Sequence, residues 1–245
     1  MAVGTVRPRN HHPSGFTLIE LAIVLTILSL TVGGALAVTA AKLENGRYKQ
    51  TLSKLQFILQ AVDDYVDEKA SDTRGHIPCP ADPQAAFTAS TFGFGSYSGS
   101  ACNASNIVGG TDGAEAGAVP VVTLNIPHGY TLDGWNRRIT YVMDEDLCCS
   151  EANYDGATGS ITVENASGTD YTTTAAVVVF SHGPNLFGSW PARGGSAGQY
   201  SKTDGGPDED ENADLNDSLF VQTLLSGSYD DVLVYRAKWQ LDGTE

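Results

Sequence analysis

Three sets of side chains in this 245-residue chain have types and spacing suited to chemistry. The first is thiols: Cys79, Cys102, Cys148 and Cys149 can form disulfides or hold a soft metal. The second is carboxylates. Between Asp204 and Asp231 lie nine acids and no Lys or Arg. Calcium takes about six to eight oxygen ligands, so Asp204, Asp208, Asp210, Asp214, Asp230 and Asp231 are candidate Ca2+ ligands. The plainer reading of 204–231 is a solvated acidic loop. An EF-hand is excluded, because Ala213 stands where the sharp turn needs Gly and Leu219 where a bidentate Glu belongs. The third is a single acid, Glu20, the one ionisable side chain between Phe16 and Ala41.

Catalytic constellations are missing. Ser181 adjoins His182, but neighbours on a strand point to opposite faces and so do not make a nucleophile–base pair. There is no Gly-x-Ser-x-Gly, no phosphate loop and no His-Glu-x-x-His. The expectation is a protein without chemistry of its own. The balance of 14 basic against 29 acidic residues, a net charge of −15, argues against nucleic acid as a partner.

The elements that must position these groups differ along the chain. Residues 1–15 carry Arg7 and Arg9 and no acid, and residues 16–41 are an apolar run long enough to cross a bilayer as a helix. A secretory signal and a plain membrane anchor both fit that outline. Neither explains Glu20, since an acid within a span costs about 2.5–3.5 kcal/mol on insertion scales. Leu52, Leu55, Ile58, Leu59, Val62 and Val66 then recur at three- and four-residue intervals, which predicts that an amphipathic helix continues over 42–70. Gly33-Gly34 is its weak point, a place to unwind or to let helices approach. Pro78, Pro80 and Pro83 end the helical pattern, and 84–120 reads as a Gly- and Ser-rich loop. Strands are predicted at Arg138–Met143, Ser160–Glu164, Ala175–Ser181 and Asp231–Arg236, with a doubtful one at Thr223–Leu225. Without strand–helix alternation, the fold class expected for 71–245 is α+β, an antiparallel sheet against the long helix.

The segment Gly15-Phe16-Thr17-Leu18-Ile19-Glu20 resembles the processing motif of type IV prepilins and type II secretion pseudopilins. The resemblance implies that a membrane prepilin peptidase cleaves after Gly15 and methylates Phe16, removing the leader 1–15. The mature chain would then be a pilin-like subunit: a helix in the inner membrane, a periplasmic head, and assembly with other subunits into a filament. Glu20 would fall at the fifth mature position, where the family carries an acid. There it could pair with the new α-ammonium of a neighbouring Phe16, since buried charges are tolerable when paired. Looser likenesses lie in the head. Asp133-Gly134-Trp135-Asn136, Ser181-His182-Gly183-Pro184-Asn185 and Asp230-Asp231-Val232 are similar to segments of major pseudopilins, and His76–Ala81 to a cysteine-bearing variant. Those relatives bind calcium in a loop of the corresponding interval, which implies the same for 204–231. The alternative function is a membrane-anchored binding module, adhesin-like and calcium-dependent, that borrows the prepilin pathway.

An exported head meets an oxidising compartment, which favours disulfides. Adjacent residues have Cα atoms about 3.8 Å apart, against about 4.4–6.8 Å preferred in disulfides, so Cys148–Cys149 is disfavoured. Cys79–Cys102 is the first choice and would stabilise the loop between them by about 3 kcal/mol. A bond from Cys148 or Cys149 to either remains open. Zinc is a poor match to the spacing, which lacks paired Cys-x-x-Cys or His.

Overall fold

A computed structural model describes residues 15–70, 76–99, 101–109, 113–149, 151–196, 198–203 and 205–242. The leader, apart from Gly15, and Asp204 lie outside the described residues. Helix α1 runs Leu18–Ala70 and continues through Gly33-Gly34 without a break. Two compact units divide within it, between Asn45 and Gly46, so the stretch 46–70 belongs with the sheet.

In the first unit every described side chain from 15 to 45 is exposed, with Leu18 at 89% and Leu30 at 73%. The hydroxyls of Thr26, Ser29, Thr31 and Thr39 donate to carbonyls about one turn back. That leaves the helix surface apolar even where the sequence carries polar residues.

The second unit is built on seven strands: β3 (Val108–Gly109), β4 (Ala114–Ala118), β6 (Thr140–Asp144), β7 (Ile161–Glu164), β8 (Asp170–Ser181), β10 (Leu219–Val221) and β11 (Val232–Ala237). Their order is β10-β7-β8-β6-β4-β3, with β11 also pairing β8. All pairs are antiparallel except β10 with β7. Two short ladders flank the sheet, β1 (Tyr97–Ser98) with β2 (Ala101–Cys102) and β5 (Arg137–Arg138) with β9 (Trp190–Pro191). Short helices α2 (Glu151–Gly156), α3 (Pro207–Asp214) and α4 (Lys238–Leu241) complete it. The arrangement, a long apolar N-terminal helix followed by a mainly antiparallel sheet, is α+β and pilin-like.

Strand alternation explains the core. Val177 and Val179 of β8, with Tyr141 and Met143 of β6, share a cluster with Leu55, Ile58, Leu59, Val62 and Val66 of α1. Val178, Phe180 and Val142 face the other way, onto Leu215, Phe220 and Leu233. From Ala175 onward strand β8 is therefore buried on both faces, which is why Ala175–Phe180 reads as an unbroken apolar run, whereas its polar first half is largely exposed.

Several sequence expectations change. The stretch 84–120 holds β1 to β4 as well as loops. The span 204–231 is not one loop: Gly206 caps α3, Pro207 opens it, and Asp208, Glu209 and Asp210 occupy its first turn, where the helix dipole favours acids. The doubtful strand at Thr223–Leu225 lies instead at Leu219–Val221.

Candidate functional site

The N-terminal site begins where α1 begins. Gly15, Phe16 and Thr17 precede the helix, and Thr17 Oγ1 accepts a hydrogen bond from Glu20 N at 3.2 Å. Thr17 thus caps the helix with Glu20 at its third position, the spacing of a capping box. The Gly15–Phe16 bond therefore lies outside the helix, which begins two residues later at Leu18. Among the described residues, α1 is the one helix long and apolar enough to cross a membrane. Every described side chain of 15–45 is exposed, an apolar surface of the kind that lipid or other helices cover.

In the head, the three segments that resemble pseudopilin motifs meet. Asp133 Oδ1 accepts from Trp135 N and Arg137 N, each at 2.8 Å, and Oδ2 accepts from Ser181 Oγ at 2.6 Å. Ser181 Oγ accepts in turn from Gly183 N, and Ser181 pairs with Val232 across the sheet. Gly183, at φ +61, leaves no room for a Cβ because the Asp230 carboxylate lies against it. Gly134 is likewise required, since a side chain there would meet the Arg47 carbonyl. The neighbouring Gly134 N donates to Thr51 Oγ1 at 2.9 Å, fastening this turn to α1. These motifs are the joints between helix and sheet.

Ser181 and His182 do not act on each other. Ser181 turns to Asp133, whereas His182 Nε2 lies 3.1 Å from Thr140 Oγ1. Burial, with a smaller effect of Lys202, lowers the His182 pKa to about 3, so the imidazole is neutral.

The acidic region forms a cluster, but from a different set than the sequence spacing offers. Carboxylate oxygens of Glu209, Asp230 and Asp231 all lie within 4.8 Å of one another. Glu209 accepts from Asn185 Nδ2 and from Asp230 N, and Asp231 accepts from Asn212 Nδ2 at 2.8 Å. Burial pushes the Asp231 pKa well above the usual carboxylate range; the Asn212 hydrogen bond opposes this, and the Glu209 and Asp230 charges add to it. Asp208, Asp210 and Asp214 are not in the group. Asp210 accepts from Gly205 N, and Asp214 accepts from Asn216 at the end of α3. Glu209, the acid missed in the sequence, is brought inward by the helical turn of α3, where it is buried.

The cysteines converge as well. Cys79 and Cys102 are bonded, with Cα atoms 5.6 Å apart. Cys148 and Cys149 are also placed as a bonded pair, with Cα atoms 3.8 Å apart, which corrects the expectation against it. The physical reason is the backbone at Cys149, whose φ of +70 turns its side chain toward that of Cys148.

Residues 10–36 match the family model of the prokaryotic N-terminal methylation motif, the prepilin-type cleavage and methylation signal. The match covers Gly15, Phe16 and Glu20 and stops within α1. No curated protein and no solved structure gives a significant match to the chain. The motif points to a prepilin-type substrate of a type IV pilus or type II secretion system, consistent with a membrane-anchored protein.

Proposed function

We propose that this chain, as a bearer of the prepilin-type signal, is a structural subunit of a type IV pilus or type II secretion pseudopilus. Prepilin peptidase cleaves after Gly15 and methylates Phe16, and the mature helix sits in the inner membrane with the head in the periplasm. Assembly draws the helices together, so that apolar contact with sister subunits replaces lipid around residues 16–45. The observation that carries this reading is the exposed apolar surface of residues 16–45, which begins within the matched signal. The subunit works by assembly and performs no reaction.

Glu20 selects the stagger between helices by pairing with the α-ammonium of a neighbouring Phe16. Glu20→Ala should be processed normally yet be absent from sheared filaments or from cross-linked pseudopilus. Normal incorporation of that variant would defeat the assignment.

The cluster of Glu209, Asp230 and Asp231 fits a hard cation in donor chemistry, and Ca2+ would be held there by these three carboxylates. Bound there, the ion would offset the burial that otherwise pushes the Asp231 carboxyl toward protonation. Millimolar Ca2+ should raise the melting temperature of the head relative to chelator, more so at higher pH, and Glu209→Gln should remove the difference. A melting temperature indifferent to Ca2+ would overturn this assignment and leave the assembly reading standing.

A further inference from the structure

The spacing of the cysteines argues against zinc, yet the fold brings together what the spacing keeps apart. One sulfur of each of Cys79, Cys102, Cys148 and Cys149 lies within 4.8 Å of all the others. Between the two bonded pairs, Cys79 Sγ lies 3.6 Å from Cys149 Sγ. Zinc binds thiolate at about 2.3 Å in a tetrahedron, which sets sulfurs about 3.8 Å apart. Cys79, Cys148 and Cys149 are buried, and Cys102 is half-buried.

Backbone contacts outside the disulfides hold the donors near these positions. Ile77 N donates to Leu147 O at 2.9 Å, and Ile77 bridges to Cys148, tying the segment leading to Cys79 to the Cys148–Cys149 turn. Pro78 O accepts from the buried Tyr141 hydroxyl at 2.9 Å. Cys102 pairs with Tyr97 in the β1–β2 ladder, and Cys148 N donates to Glu145 O. The grouping is thus a property of the fold, and it should survive reduction of the sulfur–sulfur bonds.

We propose that Cys79, Cys102, Cys148 and Cys149 form one soft-metal site, which in the reduced chain holds a single Zn2+ through four thiolates. Four soft sulfurs select zinc over calcium or magnesium. Binding to the reduced chain releases four thiol protons to solvent, since each ligand must be a thiolate. From the oxidised chain, two equivalents of a dithiol reductant break both disulfides. The reductant leaves as two disulfides, its four protons pass to solvent, and the zinc ion neither gains nor loses electrons. The site therefore alternates between two disulfides and one zinc tetrathiolate. It makes no use of the acidic cluster and does not depend on how the chain assembles.

The test uses the full chain in detergent, reduced with a thiol-free phosphine and titrated anaerobically with Co2+ and then Zn2+. One Co2+ per chain should bind with the intense visible bands and sulfur charge transfer of a tetrahedral tetrathiolate, and Zn2+ should displace it. Cys79→Ser and Cys102→Ser should each weaken binding at least about tenfold. Substoichiometric Co2+, or the pale spectrum of six-coordinate ion on the unsubstituted chain, would overturn the proposal without reference to whether any variant folds. Undiminished affinity in Cys102→Ser would overturn it also, because a pair or triple of thiols would then suffice.

Discussion

The two units of the chain handle apolar surface in opposite ways. Residues 15–45 turn every described side chain outward and close their hydroxyls back onto the helix. From Gly46 onward, α1 instead buries Leu55, Ile58, Leu59, Val62 and Val66 against β6 and β8. One helix thus has an end with its apolar side chains exposed and an end with its apolar stripe buried in the head. The lesson is that the same element is packed into the head in one half and left exposed in the other, with the change at Asn45–Gly46; on the proposed reading the exposed half serves assembly.

The largest effect should come from breaking that division by truncation. Leu59→Ala removes a fully buried side chain and should destabilise the head by about 2–5 kcal/mol. Leu28→Ala, on the exposed part of the helix, should leave head unfolding in urea unchanged. Equal effects of the two substitutions would mean that the units are not energetically separate.

A smaller effect sharpens the electrostatics of the second unit. Burial, with a contribution from Glu145, raises the pKa of Glu115 on β4 to about 7. A raised carboxyl pKa stabilises the fold fully below its unfolded value of about 4.3, and that contribution is lost as pH rises toward 7. His182 works the other way: its lowered pKa costs stability as pH falls below about 6.5. The two are separated by Glu115→Gln, whose melting temperature relative to the unsubstituted head should climb between pH 4.5 and 7 and then level. A flat difference across that range would remove Glu115 as a source of pH dependence.

How much of this was legible in the sequence follows the same division. The first unit reads directly, because its signal is contiguous: Gly15 to Glu20, then an apolar run. In the second unit, the amphipathic stripe of α1 and the strand-like runs that became β6, β7, β8 and β11 also read directly, from periodicity and β-branched residues. Strand β4 did not, because Ala-Glu-Ala-Gly-Ala has no strand propensity and owes its place to close packing. A side chain at Gly117 would run into the Ala81 carbonyl and the Pro80 ring. Helix α3 was hidden by its own acids, which suit a helix N-terminus as well as a loop.

The clusters were the least visible features. Glu209 joins Asp230 and Asp231 across about twenty residues of chain, and Cys79 meets Cys148 and Cys149 across about seventy. Spacing rules detect ligands that share a turn or a helix face, and these share neither. Long-range contacts bring them together: Gly183 lies against Asp230 beside the acidic cluster, and Ile77 joins Leu147 and Cys148 beside the cysteines.

The central claim is that the exposed helix is the working end of a processed subunit. Mass spectrometry of the mature chain, recovered from membranes of cells with a prepilin peptidase, tests it most directly. The account predicts an N-terminal peptide beginning at Phe16 and carrying one added methyl group. A chain that keeps residues 1–15, or one cut after the Ala-rich end of the apolar run, would contradict it.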